Sequence, residues 1–501
     1  MTVLATFIGF HQTAKSRQEG PDSGNKATKK VPMLSGGIPI LGHATLFKKN
    51  TPSFLKSVRD KNGPVFRINL AGRDMVIIGD DEKARKQVKL AAPSVLSSTQ
   101  AVVDVGSVYA LSQRSIDFGT LCHKHVLKLC FYREDGSKLF QEAIRNVTDR
   151  AFEQETSPGA PCVATRRDTA GNGAERTSVV VNDLIQFSRR MTTRVSIAVF
   201  CGSGVSVDHD LVSECMAFEE QLEATIAKSA VLPRYLSVPL LLRPLQKRRH
   251  QLEANLLERF ESAWKQYGDD NAMTANGTKD EGSDSFFSSK IGPWLHAAMI
   301  NKEHRKDVSN FAIGLLFTAT KNPSIGGAQS FLFLKTMTNS DVVTRATEES
   351  GSKPKPLSSE IVLKCVLETV RLTGNTIGSL RTAMKAFTLQ LSDGTEYDIP
   401  KGQVIAVSHS LPNKSTAVWG TDAEDFNYER QGIETATTFG GGLHKCPGQN
   451  VAITMMESMV CLWLRQGMVL NQKTLPDLCY ERATLTQRKG AVAVTVNTLL
   501  G

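Results

Sequence analysis

Apolar positions recur along this chain at two periods. Val65-Phe66-Arg67-Ile68-Asn69-Leu70 alternates and Met75-Val76-Ile77-Ile78 runs apolar, on either side of Ala71-Gly72-Arg73-Asp74. That pattern predicts a β-hairpin. Helical segments are expected within residues 82–115, with a mixed apolar loop from Val102 to Ala110. Val179 to Cys201 carries helical periodicity and stops at Gly202, and Val451-Ala452-Ile453-Thr454-Met455-Met456 is a helical apolar run. Residues 156–177, rich in Gly, Ala and Thr, and 267–285, rich in Gly, Asp and Asn, are expected as surface loops. Asp393-Gly394-Thr395 reads as a β-turn, and Tyr397 to Gly402 leads into a strand. Residues 1–30 read as a flexible tail, followed by a Pro/Gly-punctuated stretch from Val31 to His43. Leu232 to Pro244 is an apolar loop edged with Lys and Arg.

Composition narrows this little. A chain of 501 residues exceeds one small core, yet a helical enzyme of this length can be one compact unit. With 41% apolar and 22% charged residues it reads as an ordinary globular protein. The net charge of +10 suits an acidic partner or an anionic membrane surface. No basic run is interleaved with aromatics, so no nucleic acid is expected as a partner. Nine cysteines, without CxxC pairs, zinc-finger spacing or a secretory leader, fit free thiols in a reducing compartment. Val3 to Phe10 is a short apolar run, whereas a bilayer-spanning helix needs about 20 residues, so no transmembrane helix is visible.

The chemistry concentrates in Phe439-Gly440-Gly441-Gly442-Leu443-His444-Lys445-Cys446-Pro447-Gly448. A cysteine that holds iron as a thiolate needs its negative charge stabilised. The glycines let the backbone turn its N–H groups toward the sulfur, and the apolar run that follows places Cys446 near a helix N-terminus. Cys446 is therefore the candidate metal ligand, binding haem (heme, iron-protoporphyrin IX), with His444 placed to pair with a haem propionate. The stretch resembles the haem-binding signature of the cytochromes P-450, Phe-x-x-Gly-x-(Arg or His)-x-Cys-x-Gly. Phe439, Gly442, His444, Cys446 and Gly448 fill its fixed positions.

The resemblance extends over roughly residues 31–501, which it makes one catalytic domain of mainly α structure with small β-sheets, the haem lying between a long central helix and the cysteine-loop helix. Phe311 to Leu334 should be that central helix. It carries Thr318-Ala319-Thr320-Lys321-Asn322-Pro323, where most oxygenases of the family have an acid followed by Thr. Lys321 takes the acid position and Asn322 the alcohol position. Asn322 is either a catalytic group or a polar partner of the backbone that Pro323 should kink. Glu368-Thr369-Val370-Arg371 puts two charges on one helix face. In the family this pair locks onto a third arginine, here Arg430, as a structural brace. Thr373 to Ser379 should line the substrate cavity, and Arg381 fits the family's propionate-binding arginine. Gln113-Arg114-Ser115-Ile116-Asp117 and Asn322 are similar to the branch with cholesterol 7α-hydroxylase and prostacyclin synthase. Many members then carry Trp-x-x-x-Arg to grip a propionate. Here the chain reads Cys122-His123-Lys124-His125, and His125 either takes that contact or belongs to a solvated basic face.

The resemblance implies a haem-thiolate monooxygenase acting on a small apolar substrate, a sterol, terpenoid or other lipid-like molecule. Electrons from NADPH would come through a separate NADPH-cytochrome P-450 reductase, since no flavin or dinucleotide fingerprint is present. One alternative is a peroxide isomerase or dehydratase on the same fold, needing neither reductase nor proton relay. Another is a non-catalytic haem-binding protein. The expected location is the cytoplasmic side of the endoplasmic reticulum, peripherally bound, or the cytoplasm. Two readings of the start stay open: peripheral membrane contact, or an incomplete chain.

Overall fold

A computed structural model describes residues 29–39, 41–104, 134–169, 175–201, 203–229, 234–274, 305–351, 356–374, 377–442, 445–480 and 485–496. The expected tail as far as residue 28, most of the Val102–Ala110 loop, the 113–125 stretch with His125, the part of the 267–285 loop beyond Thr274, and Leu443 and His444 lie outside them. Short elements come first: β1 (Lys29–Lys30), α1 (Ala44–Lys49), α2 (Thr51–Asn62), β2 (Val65–Leu70), β3 (Arg73–Ile78), α3 (Glu82–Leu90), β4 (Leu96–Ser97) and α4 (Ser98–Asp104). Helices dominate the middle: α5 (Glu134–Thr156), β5 (Val163–Thr169), β6 (Glu175–Val181), α6 (Leu184–Cys201), α7 (His209–Ser229), α8 (Arg243–Thr274), α9 (Arg305–Met337), α10 (Ser340–Ser350) and α11 (Glu360–Thr373). The last part holds β7 (Ile377–Ala383), β8 (Phe387–Gln390), β9 (Glu396–Ile399), β10 (Val404–Ser408), α12 (Gln449–Arg465), β11 (Met468–Leu470), β12 (Leu478–Cys479), β13 (Gln487–Arg488) and β14 (Val494–Val496). The architecture is mainly α with small sheets, as expected.

The hairpin forms as β2 against β3, with Val65 opposite Ile78 and Leu70 opposite Arg73. Ala71 and Gly72 take φ of 53° and 87°, the left-handed values a tight two-residue turn requires, so β3 starts at Arg73 rather than Met75. This hairpin extends into a five-stranded sheet ordered β2-β3-β10-β7-β4. β10 runs parallel to β3 and antiparallel to β7, which sets Arg381 opposite Ile405. Lys29 and Lys30, the end of the expected tail, pair in parallel with Tyr397 and Asp398.

The helical core is centred on Trp463 of α12, fully buried, with Phe331 of α9 edge-on at 5.6 Å and Phe187 of α6 at 6.4 Å. α6 is buried on nearly every side, so its charges need internal partners. Arg190 Nε and Arg194 Nη2 reach the buried Glu155 carboxylate of α5 at 2.5 and 2.6 Å. α9 runs further than Phe311–Leu334 at both ends and continues through Pro323.

Four sequence expectations need correction. The helix expected over Val179 to Cys201 begins at Leu184, because Val179 to Val181 belong to strand β6. Residues 156–177 are not a loop throughout: β5 and β6 form an antiparallel hairpin there, and β6 pairs with β14 through Val494↔Val181. The polar run from Thr165 to Thr169 gives β5 no alternating apolar face to announce a strand, and the Val494–Val496 partner of β6 is far away in sequence. The 267–285 loop starts later than expected, because α8 continues to Thr274. The Leu232–Pro244 segment is helical from Arg234, with a wide helical turn at Val238–Leu242 leading into α8. Pro239, which has no N–H to donate, falls within that wide turn.

Candidate active site

The cysteine loop is closed by its own backbone. Cys446 N donates to Phe439 O at 2.8 Å and Gly440 N to Thr437 O at 2.8 Å. Gly442 is left-handed at φ 64°, and a Cβ there would lie 2.5 Å from the Lys89 carbonyl oxygen at the end of α3. The position therefore excludes any larger residue. Gly448 caps α12, so Cys446 sits three residues before the first helical residue, half-buried, with its thiol free. That is where a helix dipole and unpaired N–H groups favour an anion. By contrast, burial pushes the Cys365 and Cys461 thiols up to about 12, which suits inert packing.

Behind the loop the three charges named from sequence stand together. Arg371 grips Glu368 with Nε and Nη2, both at 2.7 Å, and Arg430 Nε donates to the same carboxylate at 3.0 Å. Glu368 and Arg371 are fully buried and Arg430 nearly so. The remaining Arg371 donor goes to the carbonyls of Asn413 and Ala423, and its guanidinium lies 5.2 Å over the Trp419 ring. Arg430 also reaches Asp422, whose carboxyl is held below its ordinary value mainly by that hydrogen bond. From Asn413 the bonding continues into the cysteine loop: its side-chain oxygen accepts from Thr437 N and Oγ1, and its side-chain nitrogen donates to Thr438 Oγ1.

On α9, most described side chains around Thr318 to Leu334 are buried. The exceptions, Gly314, Leu315, Thr318, Ala319 and Asn322, recur at helical spacing as one half-covered stripe. Asn322 Oδ1 accepts from Leu485 N at 3.4 Å. Pro323 has no N–H, so the Ala319 carbonyl on that stripe loses its usual donor four residues on. Lys321 points elsewhere. It is 1% exposed and pairs with Glu223 of α7. Its neighbour Thr320 donates to Glu219, one turn earlier on α7, and Arg189 of α6 lies 3.7 Å from that same carboxylate. Burial raises the Glu219 carboxyl to about 7, against the opposing pull of Thr320 and Arg189. The sequence reading missed this network. Glu219 and Glu223 lie at i and i+4 on one helix face, but nothing along the chain pointed that face at α9.

Arg381, 6% exposed on β7, donates through Nη1 to Leu380 O at 2.6 Å, while its buried Nε finds no hydrogen-bond partner among the described residues. Burial pushes its pKa down to about 10, and no carboxylate faces it among the described residues. A buried cation without an anion is costly, so this position fits a group that brings its own carboxylate. A half-buried thiol at a helix start, a part-covered stripe of small side chains and an unneutralised guanidinium together fit haem.

A family profile described as Cytochrome P450 matches residues 160–492. The chain is 22% identical to obtusifoliol 14-alpha demethylase of Sorghum bicolor, over 91% of this chain and 87% of that protein. It is 21% identical to lanosterol 14-alpha demethylase of Bos taurus, over 87% and 82% of the two chains. A shorter match, 33% identical over 102 residues, covers 20% of this chain and 16% of 7-alpha-hydroxycholest-4-en-3-one 12-alpha-hydroxylase of Homo sapiens.

Proposed function

This chain belongs to the cytochrome P450 family of haem-thiolate monooxygenases, and from that premise we propose that it oxygenates a small, apolar, lipid-like molecule of the sterol or terpenoid kind. The observation that carries the reading is the Cys446 thiol, half-buried on a glycine loop at the start of α12. Cys446 would hold the iron, Arg381 and His444 would meet the propionates, and Phe439, Gly442 and Gly448 would shape the loop. His125 is the further candidate for a propionate. Glu368, Arg371 and Arg430 act as a structural brace.

When bound, haem supplies dioxygen activation, favoured by electron donation from the thiolate. The residues supply the rest. The stripe of Gly314, Leu315, Thr318 and Ala319 offers small and apolar contacts to a substrate. Asn322 would order a water by accepting and donating, without being an acid itself. Within that range the sterol class is supported by the names of relatives such as the sterol 14-demethylase of Arabidopsis thaliana and the lanosterol 14-alpha demethylase of Bos taurus.

Electrons would come from NADPH through NADPH-cytochrome P-450 reductase. Among the described residues no helix is long and apolar enough to cross a membrane. Leu236 and Leu240 are 38% and 63% exposed beside the exposed Arg243 and Lys247, an apolar knob with a basic rim. That surface suits peripheral contact with the cytoplasmic face of the endoplasmic reticulum. The test is turnover of a lipid extract by the purified protein with reductase and NADPH under ¹⁸O-labelled dioxygen. The expected product gains one labelled oxygen by mass spectrometry. Label-free product formed without reductase overturns the reading.

A further inference from the structure

We propose that Asn413 is a positioning residue for the cysteine loop: its side-chain amide ties the loop to the Glu368–Arg371 brace and so sets where the Cys446 sulfur stands. The inference rests on the haem-thiolate reading above. Asn413 is fully buried at the end of the short turn Ser410–Asn413. One half of the residue belongs to the brace, because its carbonyl accepts from Arg371 Nη1. The other half belongs to the loop. Its side-chain oxygen accepts from Thr437 N at 2.8 Å and from Thr437 Oγ1 at 2.9 Å, and its side-chain nitrogen donates to Thr438 Oγ1 at 2.8 Å. Thr438 Oγ1 in turn donates to Val370 O, next to Arg371, at 3.2 Å.

A buried amide needs partners wherever it lies, and a core asparagine satisfied by chance would be unremarkable. Here all three side-chain bonds go to the two residues directly before Phe439, and Phe439 O takes the Cys446 N–H. A rigid path of hydrogen bonds thus runs from Arg371 through Asn413 and Thr437–Thr438 to the turn carrying the sulfur. Hydrogen bonds behind a ligand fix its orientation and basicity, and losing one typically costs about 10–100-fold in metal affinity or activity. Without the amide the loop keeps its own turns and the Thr438–Val370 bond but loses its three ties to the Ser410–Asn413 turn, and the less firmly held sulfur would more readily take up a proton and bind as a thiol.

The experiment compares full-length, haem-loaded wild type with Asn413→Leu, Asn413→Asp and Leu411→Ala. Leu411 lies on the same turn but packs into the cluster around Phe47 and Leu55, so it controls for loss of packing alone. The readouts are the carbon monoxide difference spectrum of the reduced protein, which separates thiolate from thiol ligation, the haem reduction potential and the melting temperature. Asn413→Leu should shift the thiolate-to-thiol ratio by about tenfold. Asn413→Asp keeps both acceptor bonds to Thr437 and should recover most of the thiolate form. Leu411→Ala should lower the melting temperature with a wild-type spectrum.

A wild-type spectrum and potential in Asn413→Leu overturns the proposal, as does a loss of thiolate form in Leu411→Ala that matches its loss of melting temperature. Should Asn413→Leu not fold, Thr437→Val and Thr438→Val remove the loop ends of the same bonds and are judged by the same criteria. A wild type without the thiolate band would instead sink the haem-thiolate reading, and this proposal with it.

Discussion

Arg430 Nε stands 3.0 Å from Glu368 Oε1, although 62 residues separate them in the chain. The contact draws the segment after α11 and the approach to the cysteine loop onto one buried carboxylate, already doubly bonded by Arg371. Truncating Glu368 would leave the buried Arg371 guanidinium without its anion, while Arg430 would keep Asp422 alone.

Glu368→Ala should therefore cost about 3–5 kcal/mol, the range for breaking a buried ion pair from one side. The expected outcome is protein that fails to accumulate or carries little haem, read from the ratio of Soret to protein absorbance. A stable, haem-replete but inactive variant would argue for a catalytic role instead of a brace.

Cys446→Ser should abolish the red-shifted Soret band that the reduced protein gives with carbon monoxide, because a hydroxyl does not supply a thiolate. A variant that keeps that band would remove Cys446 from the coordination of iron.

Asn322→Ala separates oxygenation from rearrangement. Supported proton delivery contributes about 10²–10⁴-fold, so if Asn322 orders a proton-delivering water, its loss from an oxygenase should release more hydrogen peroxide per NADPH consumed. A peroxide isomerase should show no dependence on NADPH and should turn over a hydroperoxide alone. The ratio of peroxide to product, measured with and without reductase, distinguishes them.

Glu219 predicts a pH dependence of stability. Its carboxyl titrates at about 7 in the folded chain against an ordinary value of 4.5. The folded state thus holds a proton that the unfolded state has already lost between these values. Stability from this group is complete below the lower value and falls as pH rises toward the higher one. The slope is at most about 1.4 kcal/mol per pH unit. Glu219→Gln, which cannot ionise, should lose less melting temperature than wild type between pH 5 and 7. Parallel melting curves for the two across that window would show that Glu219 is ionised throughout.

The features legible along the chain were those whose geometry is local. The β2–β3 hairpin follows from alternation around a two-residue turn, and the long α9 from its apolar run, although the run did not give its ends. Glu368 and Arg371 share a face because three residues make nearly one helical turn. The glycine loop before Cys446 announces tight turns because left-handed backbone is inexpensive only for glycine. Contacts that require the chain to return to itself were decided by the tertiary structure. Residues 156–177 look like a polar loop until Val494–Val496 supplies a ladder for β6. Lys321 stands where the family carries an acid and finds its partner only when α7 brings Glu223 to it, since a buried ammonium is costly without an anion. Asn413 carries no signal of its own, for an amide shows its role only through the partners that packing places around it.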